Sequence, residues 1–260
     1  MRACFLLGAA AFVAIGWGGS TKADQFTYGI DEKNALVMVN VASGASTAVA
    51  DLSKTLGTGS SNAMAFDAGR NRLLFMSPDS GKANLYSYDL ASNSLSVLAS
   101  GTTALPTPAA SGAFYAGSYW YVQDGTNSLV QVKFDATGNY LSTSKTLLNP
   151  SSPNAKYGFG DIVITSTGLM YGSTGGNFFS VQINSNGTTG GFFLRSVPGG
   201  DDLQLTLGAD GVLYGYQHDN ASPNANDKGW YVVDVKPGSS FGDRTYLGYK
   251  TGGPSLRDLA

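Results

Sequence analysis

The chain has 260 residues, of which 13% are charged, and its formal net charge is −2. This length is enough for one large domain with a substantial core. The charged fraction is about half of the roughly 25% in typical domains, and strong surface-helix formers are scarce. A slightly acidic chain does not favour nucleic acid or anionic membranes as partners.

The first 23 residues have the pattern of an export signal. Arg2 precedes a run of small and apolar residues, Ala3–Trp17, and the next residues suit cleavage before Asp24. The run has 15 residues, fewer than the ~20 that a spanning helix needs, and an uncleaved anchor is the alternative. The only cysteine, Cys4, leaves with the signal. The sequence therefore predicts one domain, 24–260, that is secreted or periplasmic, without disulfides or a membrane span after cleavage.

A strand that ends in Asp or Asn before a small-residue turn recurs five times. Alternating β-branched and aromatic residues suit a pleated strand, and an Asx side chain starts a turn by bonding its own backbone. The closing residues are spaced by 49, 46, 49 and 50 positions, at Asn40, Asp89, Asp135, Asn184 and Asp234. A second strand precedes each copy, at Phe26–Ile30, Arg72–Met76, Ser118–Val122, Gly168–Gly172 and Gly211–Tyr216. Each repeat therefore contains a hairpin.

A further short strand precedes four of the hairpins, at Asn62–Phe66, Ser111–Tyr115, Asp161–Thr165 and Asp202–Thr206, and an outer strand follows each hairpin. Four strands in ~40 to 50 residues form the blade of a propeller. The sequence therefore predicts an all-β, five-bladed β-propeller with four-stranded antiparallel blades.

The first hairpin has no inner strand before it. Leu256–Ala260 matches the openings of the strands at Asp161 and Asp202. We therefore expect this C-terminal strand to pair in the N-terminal blade and close the ring without an open edge. The alternative is a frayed polar tail.

These repeats resemble secreted bacterial propellers of the broad YVTN and NHL-like kind, at the level of architecture. The resemblance spans most of the chain and is carried by pairs such as Asp161–Ile164 with Leu169–Gly172. It implies a ligand site on the face where the inner strands start. The first residues of those strands would form its rim, at Asn62, Ser111, Asp161, Asp202 and Asp258. Loops between second and third strands would add Asp31, Glu32, Asp79, Asp124, Thr174, His218 and Asp219.

The predicted rim is acidic and polar. Convergent carboxylates suit Ca²⁺, which takes about six to eight oxygen ligands, or the hydroxyls of a sugar beside exposed rings such as Tyr216, Tyr121 or Trp120. The candidate ligand-binding residues are Asp161, Asp202, Asp258, Asn62, Asp124, Tyr216, His218 and Asp219, and Ca²⁺ is the candidate cofactor. The alternative is that Asp and Asn recur because they start turns.

Catalytic motifs are weak. A glycosidase acid would have to be Glu32, the only glutamate, but it lies in a turn beside Lys33, which is not the setting that a general acid needs. His218 beside Asp219 is a candidate general base on a long loop. The sequence thus singles out no catalytic residue. It favours an exported, non-catalytic module that recognises a glycan or a protein through its acidic face, and the alternative is a hydrolase or lyase acting on a carbohydrate there, with or without Ca²⁺.

Overall fold

The computed structural model describes residues 25–57, 61–79, 82–100, 105–184, 186–197, 203–217, 229–247 and 256–260. These residues form five four-stranded antiparallel sheets arranged as blades. The predicted all-β, five-bladed propeller is therefore confirmed. The predicted signal segment, residues 1–23, lies outside the described residues.

Four blades are built from strands that follow one another in the chain, from the inner to the outer strand. The second blade contains β4 (Asn62–Asp67), β5 (Arg72–Asp79), β6 (Lys82–Asp89) and β7 (Ser94–Ser100). The third contains β8 (Ala109–Tyr115), β9 (Ser118–Gln123), β10 (Ser128–Phe134) and β11 (Tyr140–Leu147). The fourth contains β12 (Phe159–Ile164), β13 (Leu169–Thr174), β14 (Asn177–Ile183) and β15 (Thr189–Ser196). The fifth contains β16 (Gln204–Leu207), β17 (Leu213–Gln217), β18 (Gly229–Val233) and β19 (Arg244–Tyr246).

The first blade joins the two ends of the chain. It contains β20 (Leu256–Leu259) as its inner strand, then β1 (Phe26–Asp31), β2 (Ala35–Asn40) and β3 (Ser46–Asp51). Gly29 pairs with Leu259 and Ile30 with Asp258. The predicted ring closure is confirmed, and the frayed tail is excluded. A short helix, α1 (Ser53–Leu56), follows the first blade and has no counterpart in the sequence prediction.

The hydrophobic core is divided among the interfaces between blades. Five clusters of buried side chains occupy these interfaces in the described residues, one between each pair of neighbouring blades. Inner and middle strands are packed on both faces, as β9 illustrates with Tyr119, Trp120, Tyr121 and Val122 all buried. Such strands read as continuous apolar runs because neither of their faces meets water.

The inner strands surround a central channel. Each packs against the inner strands of two neighbouring blades, in the order β20, β4, β8, β12, β16 and back to β20. The register shifts along β4, β8, β12 and β20 where each pairs with the second strand of its blade. A bulge leaves a residue without a ladder partner. These shifts therefore free backbone N–H groups close to the channel.

The Asx residues that close the third strands start turns. Asn40, Asp89, Asp135 and Asp234 each accept a hydrogen bond from the backbone N–H two residues on, at 2.8 to 3.0 Å. The turn interpretation is confirmed for these four residues. Their recurrence reflects hairpin geometry and marks no ligand site.

Candidate functional site

Two adjoining cavities open at the end of the channel where the inner strands start. Their volumes are about 420 Å³ and about 320 Å³, and both are lined by Asn62, Phe159 and Arg257. Gln204 lines the smaller cavity, and Ala109 lines the larger. All five inner strands thus contribute, and the turn residues Glu32 and Asp124 border the cavities. We call these two cavities together the channel mouth.

The channel mouth contains buried polar atoms that have no hydrogen-bond partner among the described residues. These atoms are Nε of Arg257 and Oε1 of Gln204. Arg257 is in none of the ion pairs found among the described residues, which join Asp67 to Arg70 and Arg72, and Arg195 to Asp243. Buried polar groups are almost always paired in native proteins, and those that are not call for an explanation such as a water or a ligand.

The charge of the described mouth differs from the sequence prediction. Glu32 and Asp124 lie at its border, as predicted for the acidic rim, but Arg257 stands between the two cavities. The described mouth is therefore mixed in charge, with a cation at its centre.

Asp161 and Asp258 lie deeper than predicted. β12 and β20 begin at Phe159 and Leu256, two residues before these aspartates. Both aspartates are fully buried. Their expected position on the open rim is therefore wrong, because the first two residues of each of these strands line the channel mouth and the third is buried.

Each of these carboxylates joins two blades. Asp161 accepts the N–H of Ile162 in its own strand at 2.7 Å and that of Leu205 in the next blade at 2.8 Å. Asp258 likewise accepts from Leu259 at 2.9 Å and from Met64 in the next blade at 2.7 Å. The carboxylates therefore satisfy strand N–H groups that the ladders leave unpaired.

The two carboxyl groups are also close enough to interact electrostatically. Burial raises the pKa of Asp258 to about 8. Burial, followed by the charge of Asp258, raises the pKa of Asp161 well above its usual value. Because both pKa values are raised, the pair retains a proton at neutral pH.

Tyr119 completes this layer. Its phenol donates a hydrogen bond to the carbonyl of Ala63, and burial, together with the charges of neighbouring groups including both aspartates, raises its pKa. We call Asp161, Asp258 and Tyr119 the carboxyl layer.

The carboxyl layer lies between the channel mouth and a third cavity. Gly160 and Arg257 precede the two aspartates and line the channel mouth. Ile162 and Leu259 follow them and line a third, largely apolar cavity of about 190 Å³ on the other side.

The predicted ligand residues are thus divided among three environments. Asn62 and Asp124 lie at the channel mouth, and Asp161 and Asp258 lie beneath it. The expectation that Tyr216, Tyr121 and Trp120 are exposed is wrong, because all three are packed between blades. Asp202, His218 and Asp219 lie outside the described residues.

Sequence reasoning missed Arg257, Gln204 and Phe159 as mouth residues. The alignment of Asp258 with Asp161 contained the signal for Arg257. When the aspartate is the third residue of the strand and is buried, the residue before it lies closer to the channel mouth. The bulge that produces this arrangement has no residue pattern of its own.

One familiar motif occurs in the wrong setting. Gly238-Ser-Ser-Phe-Gly242 matches the pattern of a hydrolase nucleophile elbow, which requires a strand-to-helix turn. Here it forms the hairpin turn between β18 and β19, and Ser240 bonds the side chain of Asp234. This serine therefore shapes a turn.

The described residues do not fit a calcium site. In that part of the chain no three His, Cys, Asp or Glu side chains come together to hold a metal. The carboxylates of the carboxyl layer are already engaged by backbone N–H groups. Nor does the described part of the chain contain a helix long and apolar enough to cross a membrane.

Comparison with known proteins identifies the fold alone. No family profile matches the chain, and no curated protein matches its sequence. Among solved structures, a periplasmic gluconolactonase of Pseudomonas aeruginosa matches with a TM-score of 0.51 and 16% identity, over 93% of this chain and 70% of its own. A calcium-binding regucalcin of Agrobacterium tumefaciens matches with a TM-score of 0.51 and 15% identity, over 91% and 75%.

A luciferin-regenerating enzyme is also similar, with a TM-score of 0.52 and 13% identity over 92% of this chain and 80% of its own. The resemblance to propellers of the YVTN and NHL-like kind is thus supported at the level of architecture. The fold and the site together define the class: a five-bladed β-propeller with a polar cavity at one end of a closed channel.

Proposed function

We propose that this protein is an exported binding module that recognises a glycan at the channel mouth. The observation that carries the proposal is the pair of adjoining cavities, with buried, unpartnered Arg257 Nε and Gln204 Oε1 in their walls. Concave cavities of roughly 300 to 1,000 Å³ with a few convergent polar groups are the usual form of small-ligand sites.

The mouth residues suit a sugar. Asn62, Gln204 and Arg257 supply planar donors and acceptors, Glu32 and Asp124 supply further acceptors, and Phe159 supplies an apolar ring. A protein partner is the alternative occupant, but protein interfaces usually need about 800 Å² of surface on each side. A concave mouth fits a short glycan better.

A hydrolase or lyase at this face is the second candidate. It is favoured by the carboxyl layer, whose Asp258 directly follows the mouth residue Arg257 in the chain. A carboxyl group that stays protonated near neutral pH is what a general acid requires. However, all four carboxylate oxygens accept backbone N–H bonds, and both side chains are fully buried. A substrate in the mouth does not reach them without opening the ring, so we favour binding.

The test is a glycan array followed by calorimetry. We expect Asn62→Ala and Gln204→Ala each to weaken binding of the strongest array ligand at least about tenfold, equivalent to about 1.4 kcal/mol. Asn139→Ala, in the exposed turn between β10 and β11, is the matched control and should bind normally. An array without binders, or binding unchanged by both mouth variants, would contradict the proposal. Turnover of the bound glycan would establish the second candidate.

Calcium is tested separately. Because the described residues lack a cluster of metal ligands, we expect the melting temperature in millimolar Ca²⁺ to equal that in EDTA. A ligand of the native state raises the melting temperature by mass action. A rise of several degrees with Ca²⁺ would therefore show that further residues complete a metal site.

Export also belongs to this proposal. It is supported by the signal pattern of residues 1–23, and it stays a prediction, as does location in the periplasm or outside the cell.

A further inference from the structure

Arg257 is held in place by its neighbours in β20. Leu256 and Leu259 are 2% and 1% exposed, and Asp258 is fully buried. The strand pairs with β1 and packs against β4 and β16. The backbone that carries Arg257 is thus fixed at the centre of the ring, and its side chain lines both cavities of the mouth.

The positive charge of Arg257 has no bonded counter-ion among the described residues. A guanidinium remains charged at every physiological pH, yet in the described part of the chain the Nε of Arg257 is buried without an acceptor and the side chain is in no ion pair. Asp258 is close enough for Arg257 to lower its pKa. Both oxygens of Asp258, however, already accept N–H groups, from Met64 and Leu259.

We propose that Arg257 binds the carboxylate of an acidic sugar, so that the glycan recognised at the channel mouth contains uronic acid units. This inference rests on the proposed function and names its ligand class. The planar guanidinium fork matches a carboxylate in two parallel hydrogen bonds, which are among the stronger interactions available to a protein. Asn62 and Gln204 lie beside Arg257 to receive the neighbouring hydroxyls.

The border of the mouth favours a single negative charge on the sugar unit that contacts Arg257. Glu32 and Asp124 lie on either side of Arg257 along the two cavities. Like charges repel, and the repulsion grows with the charge of the ligand. A phosphorylated sugar with two charges is therefore less well matched than a carboxylate with one.

The test compares a uronic acid oligomer with its own neutral form. The probes are tetragalacturonate and its fully methyl-esterified derivative, which differ only in the charged groups, together with the monosaccharides galacturonate, galactose 6-phosphate and galactose 6-sulfate. Calorimetry with the full chain should show at least about tenfold tighter binding of the tetragalacturonate than of its ester. In Arg257→Gln the two affinities should become equal, while Arg257→Lys should retain part of the preference.

The outcomes separate this inference from the one on which it rests. Equal affinities for acid and ester in the parent protein would overturn the carboxylate and leave glycan binding standing. A preference that survives in Arg257→Gln would assign the carboxylate to another residue and overturn the role of Arg257. Tighter binding of the phosphate or sulfate than of galacturonate would replace the ligand class, and failure of all probes and of the array would overturn both proposals. An unchanged melting temperature of Arg257→Gln verifies that the variant is folded.

Discussion

Deletion of residues 256–260 is expected to abolish the cooperative thermal unfolding of the propeller. The deletion removes β20, which supplies the inner strand of the first blade and contacts β4 and β16. Burial of the Leu256 and Leu259 side chains alone contributes about 3–6 kcal/mol at about 1.5–3 kcal/mol each. Because domains are stable by only about 5–15 kcal/mol, the loss is comparable to the whole stability. Calorimetry and near-ultraviolet circular dichroism measure it.

Two controls sharpen the deletion experiment. Val97→Ala, on the outer strand β7, removes apolar surface that is 53% exposed and should melt close to the parent protein. A synthetic peptide of residues 254–260, added in excess to the deleted protein, should restore part of the transition, since it can pair with the open edge of β1. Closure through β20 would be contradicted by a deleted protein that melts like the parent.

The stability of the protein is expected to fall as pH rises from about 4 to about 8. The unfolded chain ionises Asp258 near its ordinary pKa of 3.8, whereas burial in the folded state raises this pKa to about 8, and the pKa of Asp161 is raised as well. Between these limits the folded state binds more protons than the unfolded state. The contribution of this pair to the free energy of unfolding therefore decreases as pH rises and is highest below about pH 4. Urea unfolding over that range measures the slope.

Asp258→Asn should separate the charge from the hydrogen bonds. The amide oxygen can accept only one of the two N–H groups that Asp258 holds, and an unsatisfied buried donor costs about 1–3 kcal/mol. The variant should therefore be less stable than the parent protein near pH 5. Its stability should depend less on pH, so the two profiles should approach each other toward about pH 9.

Asp89→Asn is the matched control. Asp89 is partly exposed, and hydrogen bonds from Ser92 hold its pKa below the usual value. It is therefore ionised in both states above about pH 5, and its replacement should leave the slope unchanged. A flat profile of the parent protein between about pH 5 and about pH 8 would argue against a proton retained by Asp161 and Asp258.

The blade pattern could be predicted because its signals are local. Alternating apolar residues mark the strands, and an Asx residue followed by a small-residue turn marks the end of each third strand. Closure by Leu256–Ala260 could be predicted because the first blade lacks an inner strand and this C-terminal segment is the strand-like segment that belongs to no other blade. These features depend on residues that are close in sequence.

The depth of each side chain could not be predicted. Asp161 opens its predicted inner strand and Asp258 is aligned with it, but both aspartates occupy the third position of the observed strands, which contain a bulge. The aspartates are therefore inside the ring and Arg257 is at its opening. Tyr216 appears in the sequence as an aromatic residue near a loop, but the neighbouring blade buries it. Such burial depends on contacts between repeats, which one strand pattern does not encode.

The carboxyl layer makes the channel a dead end. A ligand that enters at the mouth has to leave by the same opening, because the buried Asp161 and Asp258 lie between the mouth and the apolar cavity. A ligand bound at the mouth, as proposed above, would therefore be separated from the apolar cavity by this layer.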